Sequence, residues 1–420
     1  MSVRPMYVVA PRRRTTVATA TIDAPGLAVY SLSLERRSSM SQGRPARSHA
    51  PFRPADFIAR RLERVRQALE KAKAPALLVT SFTDVSWLTG FEGDDSHAIV
   101  TPEKLVLISD SRYEEQITRE APWADTVMRK KSIWYETARQ LKRLKVKKVA
   151  VQAEALTLRG QATLNEFLKK NKTKLRLAAV ADMIIALRHI KDAHEIAIIE
   201  EAIRIAEGAF EALRRQIRPG MTENDVAGRL GYEMRKRGAL NSSFDSIVAA
   251  GPNGSLPHYR PADIKLHADS PLLMDWGARY RGYCSDLTRV VFIGEVSAKI
   301  REIYQIVLDA QLAAIAAIKP GAHGKKVDRA ARDVIEKAGY GEQFGHGTGH
   351  GIGRDIHEAI ALSKLSTTTL RPGMIITVEP GIYLPGVGGV RIEDDVLVTP
   401  DGHRVLSRLP KDLASATLPV

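Results

Sequence analysis

The stretch that decides how this chain folds is residues 274–288, which read MDWGARYRGYCSDLT. Its centre is prone to form a turn and apolar residues flank it on both sides, a pattern typical of a β-hairpin. If the hairpin folds about Tyr280 and Arg281, Asp275 and Asp286 lie nearly opposite each other on neighbouring strands. Opposed Cβ atoms are about 4.5–5.5 Å apart, so these carboxylates repel each other unless one is protonated or a cation lies between them.

A second copy of this arrangement follows about 100 residues later. In each copy a long predicted helix ends at a basic residue, Pro and Gly, a second helix follows, and a strand-rich stretch comes next. In the first copy one or two helices are predicted over residues 184–217 and another over 222–238, and in the second copy the helices span 300–318 and 327–339. The second hairpin turns at residues 384–386 and carries Glu379 and Glu393. We predict that a pseudo-twofold arrangement brings both acid pairs to one point.

Four converging carboxylates are tolerated only with cations between them, and an oxygen-rich site of this kind binds divalent metals. A nitrogen ligand is available in the glycine-rich residues 345–353, which contain His346 and His350, and His357 follows. Glycines allow the backbone to approach a site closely. One histidine alone is usually an ordinary polar residue, but three within twelve positions predict that at least one belongs to the site.

The order of these residues resembles that of the pita-bread metallopeptidases that act on proline peptides, aminopeptidase P and Xaa-Pro dipeptidase. The motifs His-Gly-x-Gly-His-Gly-x-Gly and Val-Glu-Pro-Gly-x-Tyr carry the resemblance, which covers roughly residues 55–415. It implies an α/β N-terminal domain of the creatinase/prolidase type followed by an α+β pita-bread catalytic domain. It also implies two divalent ions, most often manganese, with cobalt or zinc as alternatives. The implied ligands are Asp275, Asp286, His350, Glu379 and Glu393, with Asp286 and Glu393 bridging both ions.

The resemblance implies further roles around the ions. His346 and His357 match histidines that line the substrate pocket, and His258 matches one that steadies the tetrahedral intermediate. Arg391 matches an arginine beside the bridging glutamate, and Glu379 would also carry a proton toward the proline nitrogen. The implied reaction is hydrolysis of an Xaa-Pro peptide bond. We expect an aminopeptidase that releases the N-terminal residue, with the dipeptidase, prolidase, as the alternative because both carry these motifs.

Other proteins on related scaffolds fit less well. Methionine aminopeptidase shares the ligand pattern but usually lacks a preceding α/β domain of this size. Creatinase shares both domains, yet it works without metal and lacks the full ligand set. A silent peptide- or polyanion-binding protein on the same scaffold is the alternative from a different class, and the intact ligand set argues against it.

The part of the chain before the repeat predicts the α/β domain independently of the resemblance. Residues 55–72 have apolar positions at helical spacing, and short apolar runs then alternate with charged helical stretches. The runs are residues 76–79, 98–100, 105–108 and 149–151, and the helical stretches include 113–120 and 163–170. We predict three parts: a disordered basic tail at residues 1–52, an N-terminal domain at 53–182 and the catalytic domain at 183–415.

The formal net charge of +15 raises the question of a polyanionic partner. Nine arginines against two acids lie within residues 1–54, so nearly half of the excess is in the tail. The basic run at residues 129–148 is interpreted as a solvated helix face, since aromatic residues for base stacking do not alternate with it. We therefore expect proline-containing peptides as substrates, a homodimer, no nucleic acid and, without a run of 18 apolar residues, no membrane span.

The location of the protein depends on residues 1–50, which are rich in Arg, Ser, Thr, Ala and Pro. Their composition resembles an organellar transit peptide, and an alternative is that Met40 is the true start. The single cysteine, Cys284, excludes an intrachain disulfide framework and is consistent with a reducing compartment. We expect a cytoplasmic protein, with an organelle as the alternative.

Overall fold

The structure is a computed structural model, and it describes residues 54–418. The predicted tail at residues 1–52 lies outside that range. The N-terminal part contains helices α1 (Ala55–Lys71), α2 (Phe82–Thr89), α3 (Glu114–Glu120), α4 (Ile133–Arg143), α5 (Leu158–Lys170) and α6 (Met183–Arg188). Its strands are β1 (Leu77–Val79), β2 (His97–Val100), β3 (Leu105–Ser109), β4 (Asp125–Met128), β5 (Lys148–Gln152) and β6 (Arg176–Val180).

These strands form one six-stranded mixed sheet in the order β4-β3-β2-β1-β5-β6. Side chains alternate along β1, so Leu77 and Val79 enter one apolar cluster while Leu78 enters another on the opposite face. Helix α1 covers the first cluster with Ile58 and Val65, which recur at helical spacing. A sheet covered by helices on both faces is the α/β layer structure that the alternating pattern predicts.

The C-terminal part begins with two helices, α7 (Ala193–Arg214) and α8 (Glu223–Lys236), followed by strands. The strands are β7 (Asn241–Ser242), β8 (Ile247–Ala250), β9 (Ser270–Trp276), β10 (Ala278–Tyr280), β11 (Tyr283–Cys284) and β12 (Leu287–Ile293). The second copy contains α9 (Ala298–Ala316), α10 (Gly324–Lys337), β13 (Gly349–Gly351), β14 (Glu358–Leu362), β15 (Ile375–Val378), β16 (Gly381–Leu384), β17 (Gly388–Arg391), β18 (Asp394–Val398) and β19 (His403–Val405). Short α11 (Leu413–Ala416) and β20 (Thr417–Leu418) end the described chain.

Each copy of the repeat thus has two helices followed by antiparallel strands. Sheet β20-β12-β9-β8 belongs mainly to the first copy, and sheet β14-β13-β15-β18-β19 belongs to the second. Smaller ladders are β11-β10-β7 and β16-β17. One apolar cluster contains Leu273 and Phe292 from the first sheet together with Ile376 and Val396 from the second, so a shared core joins the two copies.

The structure corrects the register of the first hairpin. Tyr280 pairs with Tyr283, and Asp275 pairs with Thr288 rather than facing Asp286. The turn consists of Arg281 and Gly282, whose φ angles are 49° and 77°. A two-residue hairpin of this twist needs positive φ at both central positions, and Gly282 adopts it without steric cost. Since side chains alternate along a strand, Asp275 and Asp286 are diagonal neighbours on one face of the sheet.

The one or two helices predicted over residues 184–217 are two in the structure, α6 and α7. Helix α7 begins at Ala193 because Asp192 and Glu195 form a capping box with its first turn. A second capping box, formed by Thr222 and Asp225, begins α8. Within residues 54–418 no helix is both long and apolar enough to cross a membrane. The domain boundaries stay predictions.

Candidate metal centre

One cavity, with a volume of about 460 Å³, lies at the junction of the two copies of the repeat. Its lining contains all nine side chains that the sequence singled out. They are His258, Asp275, Asp286, His346, His350, His357, Glu379, Arg391 and Glu393. The fold brings these distant positions together. Asp275 lies in β9 and Asp286 directly before β12, while Glu379 and Glu393 follow the ends of β15 and β17.

Three of these side chains form the tightest group. Ligand atoms of Asp286, His350 and Glu393 all lie within 4.8 Å of one another. The Nε2 atom of His350 is also 3.5 Å from Oε1 of Glu379. The other ring nitrogen, Nδ1, donates a hydrogen bond of 3.0 Å to the carbonyl oxygen of Gly351, so the lone pair of Nε2 faces the acids. Burial lowers the pKa of His350 to about 4, which keeps the imidazole neutral and able to bind a metal.

The glycines on either side of His350 are explained by close backbone packing. A Cβ atom at Gly349 would lie 2.0 Å from the carbonyl oxygen of Thr377, and one at Gly351 would lie 2.9 Å from Cβ of Ile360. Strand β13 therefore fits between β14 and β15 only without side chains at these positions. This close packing places the His350 side chain beside the acids.

The acids themselves are buried and repel one another. Burial, followed by the charges of Glu393 and Asp275, raises the pKa of Asp286 well above its ordinary value. Burial and the charges of Glu379 and Asp275 likewise raise the pKa of Glu393. Burial raises the pKa of Glu379 to about 7. Buried carboxylates with raised pKa values are stabilised by a bound cation, which favours their charged form.

One guanidinium group offsets part of this charge. The Nη2 atom of Arg391 donates a hydrogen bond of 2.6 Å to Oδ2 of Asp275. The second oxygen of Asp275, Oδ1, is buried and has no hydrogen-bond partner among the described residues. One buried cation does not balance four acids. The carboxylates, with their orphaned oxygen, and the neutral imidazole form a donor set that fits divalent metal ions. The predicted ligands therefore fit the ions that the resemblance implies.

His346 occupies a different position from the other histidines. Its Nδ1 donates to the carbonyl oxygen of Gly347 at 2.8 Å, so Nε2 accepts from the Tyr383 hydroxyl at 2.8 Å. Tyr383 in turn accepts a hydrogen bond of 2.8 Å from Nη1 of Arg391. Burial, with the charge of Arg391, lowers the pKa of His346 to about 4. This chain of hydrogen bonds connects His346 through Arg391 to Asp275.

The remaining predicted histidines are exposed at the cavity. The ring of His357 lies edge-on to that of His350, with 4.4 Å between the ring centroids. His258 is carried by the loop of residues 251–262, which the buried Glu223 holds. Glu223 accepts hydrogen bonds from the backbone N–H of Ala250 and from the hydroxyl of Tyr259, at 2.8 Å and 2.9 Å. Both histidines are thus free to meet a substrate from the solvent side.

Comparison with known proteins decides the family. Residues 197–400 match the model described as metallopeptidase family M24, and residues 61–190 match the creatinase/prolidase N-terminal domain. The chain is 40% identical over 353 residues to YqhT of Bacillus subtilis, a protein called an uncharacterized peptidase. The aligned region is 84% of this chain and 99% of that protein. The chain belongs to metallopeptidase family M24. The predicted enzyme class, a metallo-exopeptidase, is confirmed, and membership implies divalent metal ions.

Two solved structures resemble this metallopeptidase over nearly their whole length. An Xaa-Pro dipeptidase from Bacillus anthracis has a TM-score of 0.81 at 40% identity, covering 85% of this chain and 99% of that one. An X-Pro aminopeptidase from Thermotoga maritima MSB8 has a TM-score of 0.78 at 36% identity, covering 82% and 99%. The predicted fold, an α/β domain followed by a pita-bread domain, is confirmed.

Sequence reasoning missed two buried residues of the centre of this metallopeptidase. Tyr383 stands in the motif that carried the resemblance, and its position four residues after Glu379 was the available signal. Asp395 accepts a hydrogen bond of 3.1 Å from the backbone N–H of Asp286 and so fixes the backbone that carries a predicted ligand. No signal identifies Asp395, because the acids at 393–395 look alike in the sequence and differ only in what each one faces.

Proposed function

We propose that this metallopeptidase hydrolyses Xaa-Pro peptide bonds with two divalent ions. The proposed ligands are Asp275, Asp286, His350, Glu379 and Glu393, with manganese as the ion and cobalt or zinc as alternatives. The observation that carries the proposal is the convergence of three buried carboxylates, the half-buried carboxylate of Glu379 and one neutral imidazole, with Arg391 as the guanidinium bound among them. The two similar structures are named as an Xaa-Pro dipeptidase and an X-Pro aminopeptidase, which supports the choice of bond.

The ions and the residues around them would have separate roles in the reaction. When bound, the ions would activate a water and polarise the scissile carbonyl group. Glu379 would accept the proton of that water and pass it to the leaving nitrogen. His258, at the open side of the cavity, would donate a hydrogen bond to the carbonyl oxygen as negative charge develops on it.

Selectivity for proline would come from shape. The nitrogen of an Xaa-Pro bond has no N–H, so a hydrogen-bond acceptor in the cavity cannot recognise it. Phe244, Ile247 and Ile356 give the cavity an apolar wall beside the acids. A pyrrolidine ring buries apolar area against such a wall and needs no polar partner there.

Between the two Xaa-Pro activities, we propose the aminopeptidase. A dipeptidase must bind the free carboxylate that follows proline, and a buried cation is the usual means. Among the described residues that line the cavity, the arginines are Arg260 and Arg391 and there is no lysine. Arg391 already binds Asp275 and Tyr383, which leaves no buried arginine for a substrate carboxylate.

The dipeptidase is the second candidate, and a specific residue favours it. Arg260 is exposed at the cavity and would meet the carboxylate of a short substrate. The similar structure from Bacillus anthracis is named a dipeptidase. In either case proline-containing peptides are the proposed substrates. The homodimer and the cytoplasmic location stay predictions.

The test compares substrates on one preparation. Protein stripped with EDTA and reloaded with Mn²⁺ is given Xaa-Pro, Xaa-Pro-Yaa and Xaa-Ala-Yaa, and the released amino acid is measured. We expect cleavage of Xaa-Pro-Yaa, little cleavage of Xaa-Ala-Yaa and no activity in the Glu393→Gln variant. Cleavage of Xaa-Pro alone would make the protein a dipeptidase. Equal cleavage of the proline and alanine peptides would contradict the Xaa-Pro proposal.

A further inference from the structure

Thr288 is fully buried between two charged residues of the cavity. The Nε atom of Arg391 lies 3.1 Å from the Thr288 hydroxyl oxygen, and that oxygen lies 2.7 Å from Oε2 of Glu393. A guanidinium N–H can only donate and an ionised carboxylate can only accept. The hydroxyl therefore accepts from Arg391 and has a single hydrogen, which it donates to Glu393. The directions of both hydrogen bonds are set by chemistry.

The backbone strengthens this attachment. The N–H of Glu393 donates a hydrogen bond of 3.2 Å to the carbonyl oxygen of Thr288, so one residue holds Glu393 by both its main chain and its side chain. The same guanidinium binds Asp275 directly at 2.6 Å. Arg391 thus acts on one acid of the first copy directly and on one acid of the second copy through the Thr288 hydroxyl.

We propose that Thr288 is a positioning residue of the metal centre, which turns the carboxylate of Glu393 so that its free lone pairs face Asp286 and His350. The inference rests on the proposed function insofar as Glu393 is taken as an ion ligand. Groups that hold a ligand through a hydrogen bond commonly change metal affinity or activity by about 10- to 100-fold when removed.

The residue type at this position agrees with that role. A β-branched side chain in a strand has few allowed χ1 rotamers, so the hydroxyl of Thr288 has little freedom to turn away. Serine has the same hydroxyl without the γ-methyl group that restricts it. Valine has nearly the same shape as threonine but no hydroxyl, and it would leave both Arg391 Nε and Glu393 Oε2 without this partner.

The experiment compares Thr288→Val with the matched control Thr288→Ser. Binding of Mn²⁺ to the EDTA-stripped proteins is measured by calorimetry, and the thermal midpoint of each stripped protein shows whether it is folded. We expect Thr288→Val to bind at least one ion about 10- to 100-fold more weakly, while Thr288→Ser stays within about threefold of the parent because it keeps the donor. Excess Mn²⁺ should restore part of the activity of Thr288→Val.

Two results would overturn the proposal. One is Thr288→Val binding Mn²⁺ as tightly as the parent protein, and the other is Thr288→Ser losing as much affinity as Thr288→Val. If Thr288→Val does not fold, Thr288→Ala takes its place with the same criteria, since a smaller side chain cannot clash. Because ion binding is measured without substrate, a failure of the Xaa-Pro activity would be seen separately.

Discussion

Two groups of buried charge lie next to each other in this metallopeptidase, and they are balanced differently. Glu358, the residue after His357, lies 2.6 Å from Nη2 of Arg188 and 2.9 Å from Nζ of Lys191. Burial alone would raise its pKa, but Lys191 and Arg188 lower the pKa of Glu358 to about 2. In the metal centre the acids are buried or half-buried, and there they keep raised pKa values.

The same contrast separates two consecutive residues. Asp394 faces Arg289 and Lys411, which outweigh burial and lower its pKa. Glu393 faces the other acids, and its pKa is raised. The protein thus pairs Glu358 and Asp394 each with two cations of its own, whereas the four acids of the cavity share one buried cation, Arg391. Incomplete neutralisation is what distinguishes the candidate centre from an ordinary buried ion pair.

The strongest test of this contrast removes one acid from the centre. Asp286→Asn should lower kcat/KM for the Xaa-Pro substrate by on the order of 10⁴-fold, about 5.5 kcal/mol, because the site loses a proposed bridging ligand. The thermal midpoint of the metal-free variant at pH 7.5 should be equal to or higher than that of the parent, since a repelling buried acid is gone. Stripped and Mn²⁺-loaded samples are compared by scanning calorimetry and steady-state kinetics. A lower midpoint for the metal-free variant would show that Asp286 is a structural acid.

A cation removed from the balanced group should have the opposite effect. Arg188 bridges Asp84, Asp355 and Glu358, and Arg188→Met leaves these acids without it. We expect a loss of about 3–5 kcal/mol in the free energy of unfolding, with and without Mn²⁺. The loss in the free energy of unfolding is measured by urea denaturation. The control is Arg60→Met, because Arg60 is an exposed arginine 3.8 Å from Asp56 and should change stability by less than about 1 kcal/mol. Equal small effects of both variants would contradict the prediction.

The smallest effect concerns pH. A carboxyl group with a raised folded pKa holds a proton that a metal must displace, so metal binding strengthens as pH rises through that pKa. For Glu379 the window runs from its ordinary value up to about 7. His350 stays neutral there, since its pKa is about 4.

The stabilisation by a fixed Mn²⁺ concentration should therefore be greater at pH 7 than at pH 5.5, by about 2 kcal/mol for one displaced proton. Thermal midpoints with and without the ion at both pH values measure the difference. An unchanged difference would mean that the acids are already ionised in the metal-free protein, as they are in the group around Glu358.

Seven of the nine predicted side chains could be found in the sequence from the repeat, the glycine-rich histidine stretch and the chemistry of oxygen-rich metal sites. His258 and Arg391 were named only through the resemblance to the family. The register of the first hairpin was predicted wrongly, since the pattern placed the turn at Tyr280 and Arg281 and did not use the positive φ that Gly282 permits. Spacing near a turn does not fix which residues face each other.

Other contacts have no local signal at all. Thr288 reads as an ordinary strand residue, and only its neighbours in space show that it connects Arg391 to Glu393. Arg188 and Glu358 are 170 positions apart and belong to different predicted elements. Ion pairs of this kind depend on how distant parts of the chain pack against each other, which local periodicity does not encode.

The amino-acid sequence was sufficient for the order of the domains, the internal repeat and the identity of the acids and histidines that meet in the cavity. Most of these follow from local periodicity and from side-chain chemistry, which a chain carries whether or not it is folded, and His258 follows from the resemblance to the family. The charge state of each acid was settled only by folding. Glu393 and Asp394 are adjacent acids with opposite pKa shifts because strand alternation turns one toward other carboxylates and the other toward Arg289 and Lys411.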